Sequence, residues 1–186
     1  MARPILHDTV SLNHFGSIDR LDVLRIRHGD HDLPRWTPAV RDEITNGACL
    51  GFAHCARVLA ESEWLAPPAE LTERELRQVY HICVALGGGK NPPEGNEGEA
   101  ESILVAERCD GIFLTDDNGA YDFAYHRSGL GNGRVMDSIE VLRQAVLMGE
   151  LTCDDAAAIA GAIEDNGRSF RRVHSGMIGQ RDYFSD

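Results

Sequence analysis

The stretch that decides the fold is residues 95–126, GNEGEAESILVAERCDGIFLTDDNGAYDFAYH. Its first half has an acidic start, which favours a helix N-terminus, followed by apolar residues at helical spacing. Its second half contains a short apolar run at residues 111–115, typical of a buried strand, and Asp116 and Asp117 end that strand. The stretch therefore predicts a helix followed by a strand, with two carboxylates at the end of the strand.

A third acid follows another predicted strand. Residues 3–7 are short and partly apolar, and Asp8 comes directly after them. In open α/β sheets, ligands bind outside the carboxyl ends of the strands, where Asp8, Asp116 and Asp117 should converge. Crowded carboxylates repel, so they imply either raised pKa values or a bound cation. Mg²⁺ or Mn²⁺ at this edge would orient and activate water for attack on a phosphodiester.

The same residues also fit a purely structural interpretation. Aspartates after strands often cap helices, and Glu97, Glu99 and Glu101 favour a helix N-terminus because they complement its dipole. Spacing alone leaves the metal site and the structural interpretation both open.

Strands and helices alternate along the rest of the chain, which predicts an α/β fold with a central, mainly parallel sheet. Further strands are predicted at residues 64–66 and 134–136, and further helices at 18–25, 39–46, 49–61, 73–86, 118–128, 138–149 and 153–166. The predicted N-caps are Ser17, Thr37, Thr72, Asp137 and Thr152. The buried faces of these helices should include Leu50, Ala53, Val58, Leu76, Val79, Tyr80, Val84 and Leu147. Asp137 has a second interpretation, as an extra acid of the site.

The composition is ordinary for a globular chain, with 42% hydrophobic and 26% charged residues in a total of 186. We expect one domain at residues 1–150, followed by a C-terminal helix and tail at residues 151–186 that packs on it or on a partner. No apolar run approaches about 18 residues, so no membrane span is expected. The N-terminus lacks the apolar core of a signal peptide, which makes the cytoplasm the default expectation.

The net charge of −12 argues against a general nucleic-acid coating protein, which would need a basic surface. It leaves a metal-dependent nuclease open, because clustered carboxylates contribute negative charge until cations bind. The five cysteines are scattered and form no C-x-x-C pair, so neither a zinc site nor a disulfide framework is indicated. We expect buried, reduced thiols.

Three further segments have two interpretations each. Residues 28–32, HGDHD, are either a solvated loop or a metal-binding one. Residues 87–90, GGGK, look like a phosphate loop, but they lack the spacing G-x-x-x-x-G-K-[ST] and follow a helix, so a helix exit is favoured. The tail, residues 167–186, combines arginines with aromatic residues. It is either a nucleic-acid contact or a segment docked on the body or on a partner.

Three segments taken together resemble the PIN-domain superfamily of ribonucleases, in particular its small prokaryotic members, many of which are toxins of toxin–antitoxin pairs. They are ILHDTVSLNHFGSIDRLDVL (residues 5–24), WTPAVRDEI (36–44) and GEAESILVAERCDGIFLTDD (98–117), in the family's order. The resemblance covers roughly residues 3–150. It implies a three-layer α/β/α fold and an Mg²⁺- or Mn²⁺-dependent endoribonuclease.

The resemblance also implies the site residues. The catalytic, metal-holding acids would be Asp8, Glu43, Glu99 and Asp117. Thr115 matches the threonine of the family's T-x-D. Asp116 is a further candidate metal ligand, and the choices between Asp116 and Asp117 and between Glu99 and Glu101 stay open. Candidates for holding RNA phosphates are Arg20, Arg127 and Arg134.

The expected function is hydrolysis of RNA through a carboxylate-bound divalent cation. A toxin role, with an antitoxin protein as partner, and a homodimer are further expectations from the resemblance. The alternative is a non-catalytic PIN-like module that binds RNA or a protein partner. A phosphatase with a strand-end aspartate as nucleophile is less favoured, because Asp8 is followed by Thr9-Val10 and the D-x-D pattern of such enzymes is absent.

Overall fold

Four parallel strands form the centre of the fold, which confirms the predicted, mainly parallel sheet, although the strand at residues 33–35 was not predicted. The structure is a computed structural model, and it describes residues 3–28, 33–87, 89, 95–131, 133–178 and 180–185. The strands of these residues are β1 (Pro4–His7), β2 (Leu33–Arg35), β3 (Ile112–Leu114) and β4 (Val135–Met136). They form one sheet in the order β2-β1-β3-β4, with every neighbouring pair parallel.

The helices of the described residues precede, connect and follow these strands. They are α1 (Thr9–Ser17), α2 (Leu21–His28), α3 (Pro38–Cys49), α4 (Ala53–Ala60), α5 (Glu73–Leu86), α6 (Glu97–Arg108), α7 (Asn118–His126), α8 (Ser138–Leu147) and α9 (Cys153–Asp165). Short 3₁₀ turns lie at Ser62–Trp64, Arg172–His174 and Arg181–Tyr183.

The sheet has helices on both faces, because successive residues of a strand point to opposite sides. Ile5 and Leu114 belong to one buried apolar cluster, which includes residues of α1, α3, α8 and α9. Leu6 and Phe113 belong to a second cluster, which includes residues of α6 and α7. The predicted α/β/α layering is therefore confirmed.

The register of the sheet brings two predicted strand ends together. β1 lies between β2 and β3, and His7 pairs with Leu114. The ladder continues beyond the strands, since the amide of Asp8 donates to the carbonyl of Leu114 (3.2 Å) and the amide of Thr115 donates to the carbonyl of Met136 (2.9 Å). Asp8 and Thr115 therefore lie side by side at the carboxyl edge of the sheet.

The tail packs against the body of the domain. Helix α9 contacts α1 and α8. Three apolar side chains that follow it, Phe170, Ile178 and Phe184, are buried in the cluster that covers the α1 face of the sheet. The tail is also held by an ion pair from Arg171 to Asp137 and by a hydrogen bond between His174 and Asp137.

Four of the five predicted N-caps are confirmed: Thr37, Thr72, Asp137 and Thr152. The fifth, Ser17, is wrong. A helix already begins at Thr9, capped by Asp8, and Ser17 is the last residue of that helix. The hydroxyl of Ser17 donates to the carbonyl of His14 inside the helix.

Two predictions around α4 are wrong. Helix α3 runs through Gly47 to Cys49, so Leu50 falls in the connection between helices and is 76% exposed, while Ala53 is exposed at the start of α4. The predicted strand at residues 64–66 is absent from the described chain, where a 3₁₀ turn ends at Trp64. The prediction for Val58 is confirmed, because it is buried against α1.

The buried face of α5 is rotated from the predicted one. Val79 is buried as predicted, but Leu76 and Tyr80 are exposed, and Cys83 completes the buried stripe. Leu147, at the end of α8, is exposed as well. Of the cysteines, Cys55 and Cys83 are buried, Cys153 is half-buried, and Cys49 and Cys109 are exposed, which corrects the expectation for those last two.

The predictions for residues 29–32, for residues 88 and 90, and for residue 132 of the turn before β4 lie outside the described residues. Within the described chain, none of the helices has the length and apolar character that a membrane crossing requires.

Candidate functional site

Asp8 is the most buried of the predicted site acids, with 1% of its surface exposed. It ends β1 and caps α1, so its Oδ1 accepts a hydrogen bond from the amide of Ser11 (2.6 Å) and its Oδ2 accepts one from the hydroxyl of Thr115 (2.5 Å). Burial raises the pKa of Asp8 to about 8, although these hydrogen bonds oppose the shift. Within the described residues, no cationic side chain forms an ion pair with it.

Thr115 connects Asp8 to the acid at the end of β3. Its hydroxyl donates to Asp8 and accepts a hydrogen bond from the amide of Asp117 (3.1 Å). Asp117 in turn caps α7, where its Oδ1 accepts from the amide of Ala120 (2.7 Å). Asp8 and Thr115 are buried and Asp117 is exposed, so the two acids, Asp8 and Asp117, extend from the interior to the surface.

Glu43 approaches the same edge from α3. The hydroxyl of Thr9, next to Asp8, donates to Oε2 of Glu43. The carboxylate also lies against the start of α6, where a Cβ added to Gly98 would be 3.0 Å from Oε1 of Glu43. A glycine at position 98 therefore lets the α3 carboxylate come close to the helix that carries Glu99.

Glu99 completes the group. Burial raises its pKa, and the nearby carboxylates of Glu43 and Asp117 raise it further. Four acids, Asp8, Glu43, Glu99 and Asp117, are thus brought together from the end of β1, from α3, from α6 and from the end of β3. They are the four that the resemblance implies.

Two neighbouring acids have other partners. Glu101 is buried, and its Oε2 accepts from the amide of Ala39 at the start of α3 (2.9 Å). Asp116 is buried too: Oδ1 accepts from the amide of Ser138 (3.3 Å), and Oδ2 accepts from the Ser138 hydroxyl and lies 3.1 Å from Nδ1 of His14. Glu101 therefore caps α3, and Asp116 ties β3 to α8.

The donor set fits a hard divalent cation in its chemistry, since all four groups are carboxylates and Asp8 is buried with no cationic partner among the residues that the structure describes. Their spacing is looser than that of a closed site. In the described part of the chain, no group of three or more His, Cys, Asp or Glu side chains is placed so that it could hold an ion. Mg²⁺ keeps several waters and is commonly held by only one or two protein carboxylates.

The three arginines predicted to hold phosphates differ in their hydrogen-bond and ion-pair partners. Arg134 donates to the carbonyls of Gly111 (3.0 Å) and Ala106 (2.8 Å), which commits it to the fold. Arg20 is paired with Asp22. Arg127 is exposed just after α7.

The contacts of Thr9 and Gly98 with Glu43 were not predicted from the sequence. The available signals were that Thr9 follows a strand-end acid and that Gly98 interrupts a run of glutamates. Comparison of the chain with models of protein families, with curated proteins and with solved structures gave no match. The site is thus characterised by its own geometry: carboxylates from four elements meet where two parallel strands end.

Proposed function

We propose that the protein is a Mg²⁺- or Mn²⁺-dependent endoribonuclease of the PIN type. The observation that carries the proposal is the convergence of Asp8, Glu43, Glu99 and Asp117 at the carboxyl edge of a parallel sheet. Acids crowded in this way, with no cationic partner for Asp8 among the described residues, favour a bound divalent cation.

Each residue of the site has a role that follows from its contacts. A bound cation would supply charge stabilisation at the scissile phosphate and activate water for attack on phosphorus. Thr115 orients the carboxylate of Asp8 and holds the backbone amide of Asp117, and Thr9 orients the carboxylate of Glu43. Asp8 holds a proton near neutral pH in the cation-free protein, because its pKa is about 8, and it gives up that proton when a cation binds.

The substrate in this proposal is RNA, and the protein acts in the cytoplasm. An antitoxin partner and a homodimer remain predictions of the resemblance alone. A non-catalytic module would keep the fold and lose the need for a cation, so cation-dependent cleavage separates the two functions.

The test is cleavage of a labelled single-stranded RNA by the wild type and by Asp8→Asn, with Mn²⁺ or with EDTA. We expect the wild type to cleave with Mn²⁺ only, and Asp8→Asn to be slower by about 1000-fold, a loss within the range of removing a catalytic acid or base. Asp42→Asn is the matched control, because Asp42 is exposed on α3 and paired with Arg41. Equal cleavage by the wild type and Asp8→Asn would contradict the proposed mechanism.

A further inference from the structure

A second feature adjoins the four acids. A surface cavity of about 410 Å³ opens beside them, and its wall includes one of the four acids, Glu43, and the neighbouring Thr9. Its wall also includes Phe52, His54 and Arg168. The cavity is therefore continuous with the proposed catalytic edge and carries different chemistry.

The first part of this chemistry is an exposed aromatic surface. Phe52 is 52% exposed at the start of α4, although a phenyl ring is costly to leave in water. It stacks on the ring of His54, with centroids 5.7 Å apart and an interplanar angle of 18°. The two rings present a flat, sequence-tolerant platform of the kind on which unpaired bases stack.

The second part is an arginine without an acidic partner. Nη2 of Arg168 lies 2.6 Å from Nε2 of His54. Because a guanidinium only donates, this ring nitrogen accepts and the imidazole is neutral. Burial lowers the pKa of His54, and the charges of Arg168 and Arg57 lower it further.

The two arginines near His54 differ in how their charge is compensated. Arg57 forms an ion pair with Asp19 (2.9 Å) and donates to the carbonyl of Gly16. Arg168 has no ion pair with any Asp or Glu of the described chain. Although the chain has a net charge of −12, the guanidinium of Arg168 in the wall of the cavity can attract an anion locally.

We infer that this cavity binds one unpaired nucleotide of a single-stranded RNA substrate. The base stacks on Phe52, and the adjoining phosphate accepts hydrogen bonds from Arg168. The inference rests on the proposed nuclease function for the identity of the ligand, and it deepens that function by naming a binding site next to the acids. A base within a duplex cannot use the platform, because both its faces are already stacked.

The site also gives a specific role to the C-terminal segment. Arg168 follows α9 and lies beyond residue 150, where the resemblance to the PIN-domain superfamily ends. The amide of Arg168 donates to the carbonyl of Ile163 of α9 (3.2 Å), and the guanidinium of Arg168 contacts His54 of α4. The tail is thus divided: Phe170 and Phe184 anchor it, and Arg168 reaches the cavity.

The experiment measures binding of a labelled single-stranded RNA to the full chain in EDTA, where cleavage cannot occur, over a series of salt concentrations. The test variants are Phe52→Leu, which removes the ring at an exposed position, and Arg168→Gln, which removes the charge. The matched controls are Tyr80→Leu and Arg77→Gln, which alter exposed residues of α5, a helix that does not line the cavity. The same RNA as a duplex, and single-stranded DNA of the same sequence, are tested in parallel.

We expect Phe52→Leu to raise the dissociation constant at least about fivefold. Arg168→Gln should weaken binding and reduce the slope of log affinity against log salt by about 0.7, the contribution of one phosphate contact on a single strand. Arg168→Lys should restore the slope, because it keeps the charge. The two control variants should bind like the wild type, and the duplex should bind more weakly and without dependence on Phe52.

Failure of this inference and failure of the nuclease proposal give different results. If the wild type cleaves RNA with Mn²⁺ but Phe52→Leu and Arg168→Gln bind like the wild type, the nucleotide site is wrong and the nuclease proposal stands. If the variants lose binding while the wild type does not cleave, the nucleotide site is supported and the nuclease proposal is wrong. If the wild type binds no single-stranded RNA, or binds duplex equally well with the same dependence on Phe52, the site is wrong. Equal binding of DNA would support the site and widen its ligand to any single strand.

Discussion

Asp8 and Asp137 are two buried aspartates with the same local position and different surroundings. Each follows a strand of the sheet and caps the next helix, Asp8 after β1 and Asp137 after β4. Oδ2 of Asp137 accepts from Nη1 of Arg171 (3.0 Å) and lies 2.7 Å from Nε2 of His174. Among the described residues, the carboxylate of Asp8 instead accepts from the amide of Ser11 and the hydroxyl of Thr115, and no cationic side chain pairs with it.

The difference in partners reverses the effect of burial. Burial alone would raise the pKa of Asp137, but the hydrogen bond and charge of His174, with help from Arg171, lower it below its ordinary value. The pKa of Asp8 is raised to about 8 because nothing cationic compensates its burial. The fold thus supplies a cationic partner to Asp137, whereas no described side chain supplies one to Asp8.

The largest effect on stability should come from Asp137→Asn. The variant leaves the guanidinium of Arg171 without its carboxylate in a site that is almost closed to solvent. We expect a loss of about 3 kcal/mol in the free energy of unfolding, as for a broken buried ion pair. Urea denaturation measures it.

The matched change at the other aspartate should have the opposite sign. Asp8→Asn keeps the shape of the side chain and removes a carboxylate that lacks a cation, so the cation-free protein should be as stable as the wild type or more so. Comparable destabilisation by Asp8→Asn and Asp137→Asn in EDTA would remove the distinction between the two aspartates.

The next effect concerns the pH dependence of stability in EDTA. Because the pKa of Asp8 in the folded protein is about 8, against an ordinary value of 3.8, the native state holds a proton that the unfolded state releases over that range. The contribution of Asp8 is therefore complete below about pH 4 and is lost as the pH rises towards 8. We expect the wild type to lose more than about 1 kcal/mol relative to Asp8→Asn between pH 5 and pH 8.

Asp137 provides the internal control for that experiment. Its lowered pKa adds stability above about pH 4, which is lost only as the pH falls through the folded-state value. Between pH 5 and pH 8 Asp137 should stay ionised, so its own titration should add no slope. Parallel stability curves for the wild type and Asp8→Asn over this range would contradict the raised pKa of Asp8.

The smallest expected effect separates Glu99 from Glu101 on α6. Glu101→Gln weakens the cap that the carboxylate provides to the amide of Ala39, at a cost of about 1 kcal/mol, and should leave cleavage intact. Glu99→Gln removes a carboxylate that the charges of Glu43 and Asp117 repel, so it should slightly stabilise the cation-free protein. The same change should reduce RNA cleavage with Mn²⁺. Thermal unfolding and RNA cleavage, measured on the same samples, test both variants. If only Glu101→Gln lost cleavage, Glu101 would belong to the catalytic group and Glu99 would not.

Local signals in the sequence predicted much of this arrangement. Thr37-Pro38 and the pair Thr72 and Glu75 mark helix starts that the structure confirms, because capping depends on residues close in the chain. The apolar run before Asp116 predicted β3, and the parallel sheet then placed strand-end acids at one edge.

Other features depend on packing between distant segments and could not be predicted. Residues 99 and 101 of a helix point in directions about 200° apart. Only the tertiary contacts show which carboxylate is which: Glu101 accepts a hydrogen bond from the amide of Ala39 in α3, and Glu99 lies near the other acids. Likewise, Leu50 looks like a core residue from its spacing and is exposed because α3 runs on to Cys49. The placement of Arg168 in a cavity beside α4 has no local signal at all.

The most direct test of the central claim, that the acid group around Asp8 binds a divalent cation, is calorimetric titration of Mn²⁺ into the wild type and into Asp8→Asn near neutral pH. We predict saturable binding by the wild type, with a heat that depends on the buffer because Asp8 releases its proton, and an affinity at least about tenfold weaker in Asp8→Asn. Absence of binding by the wild type, or equal affinity in the two proteins, would contradict the claim.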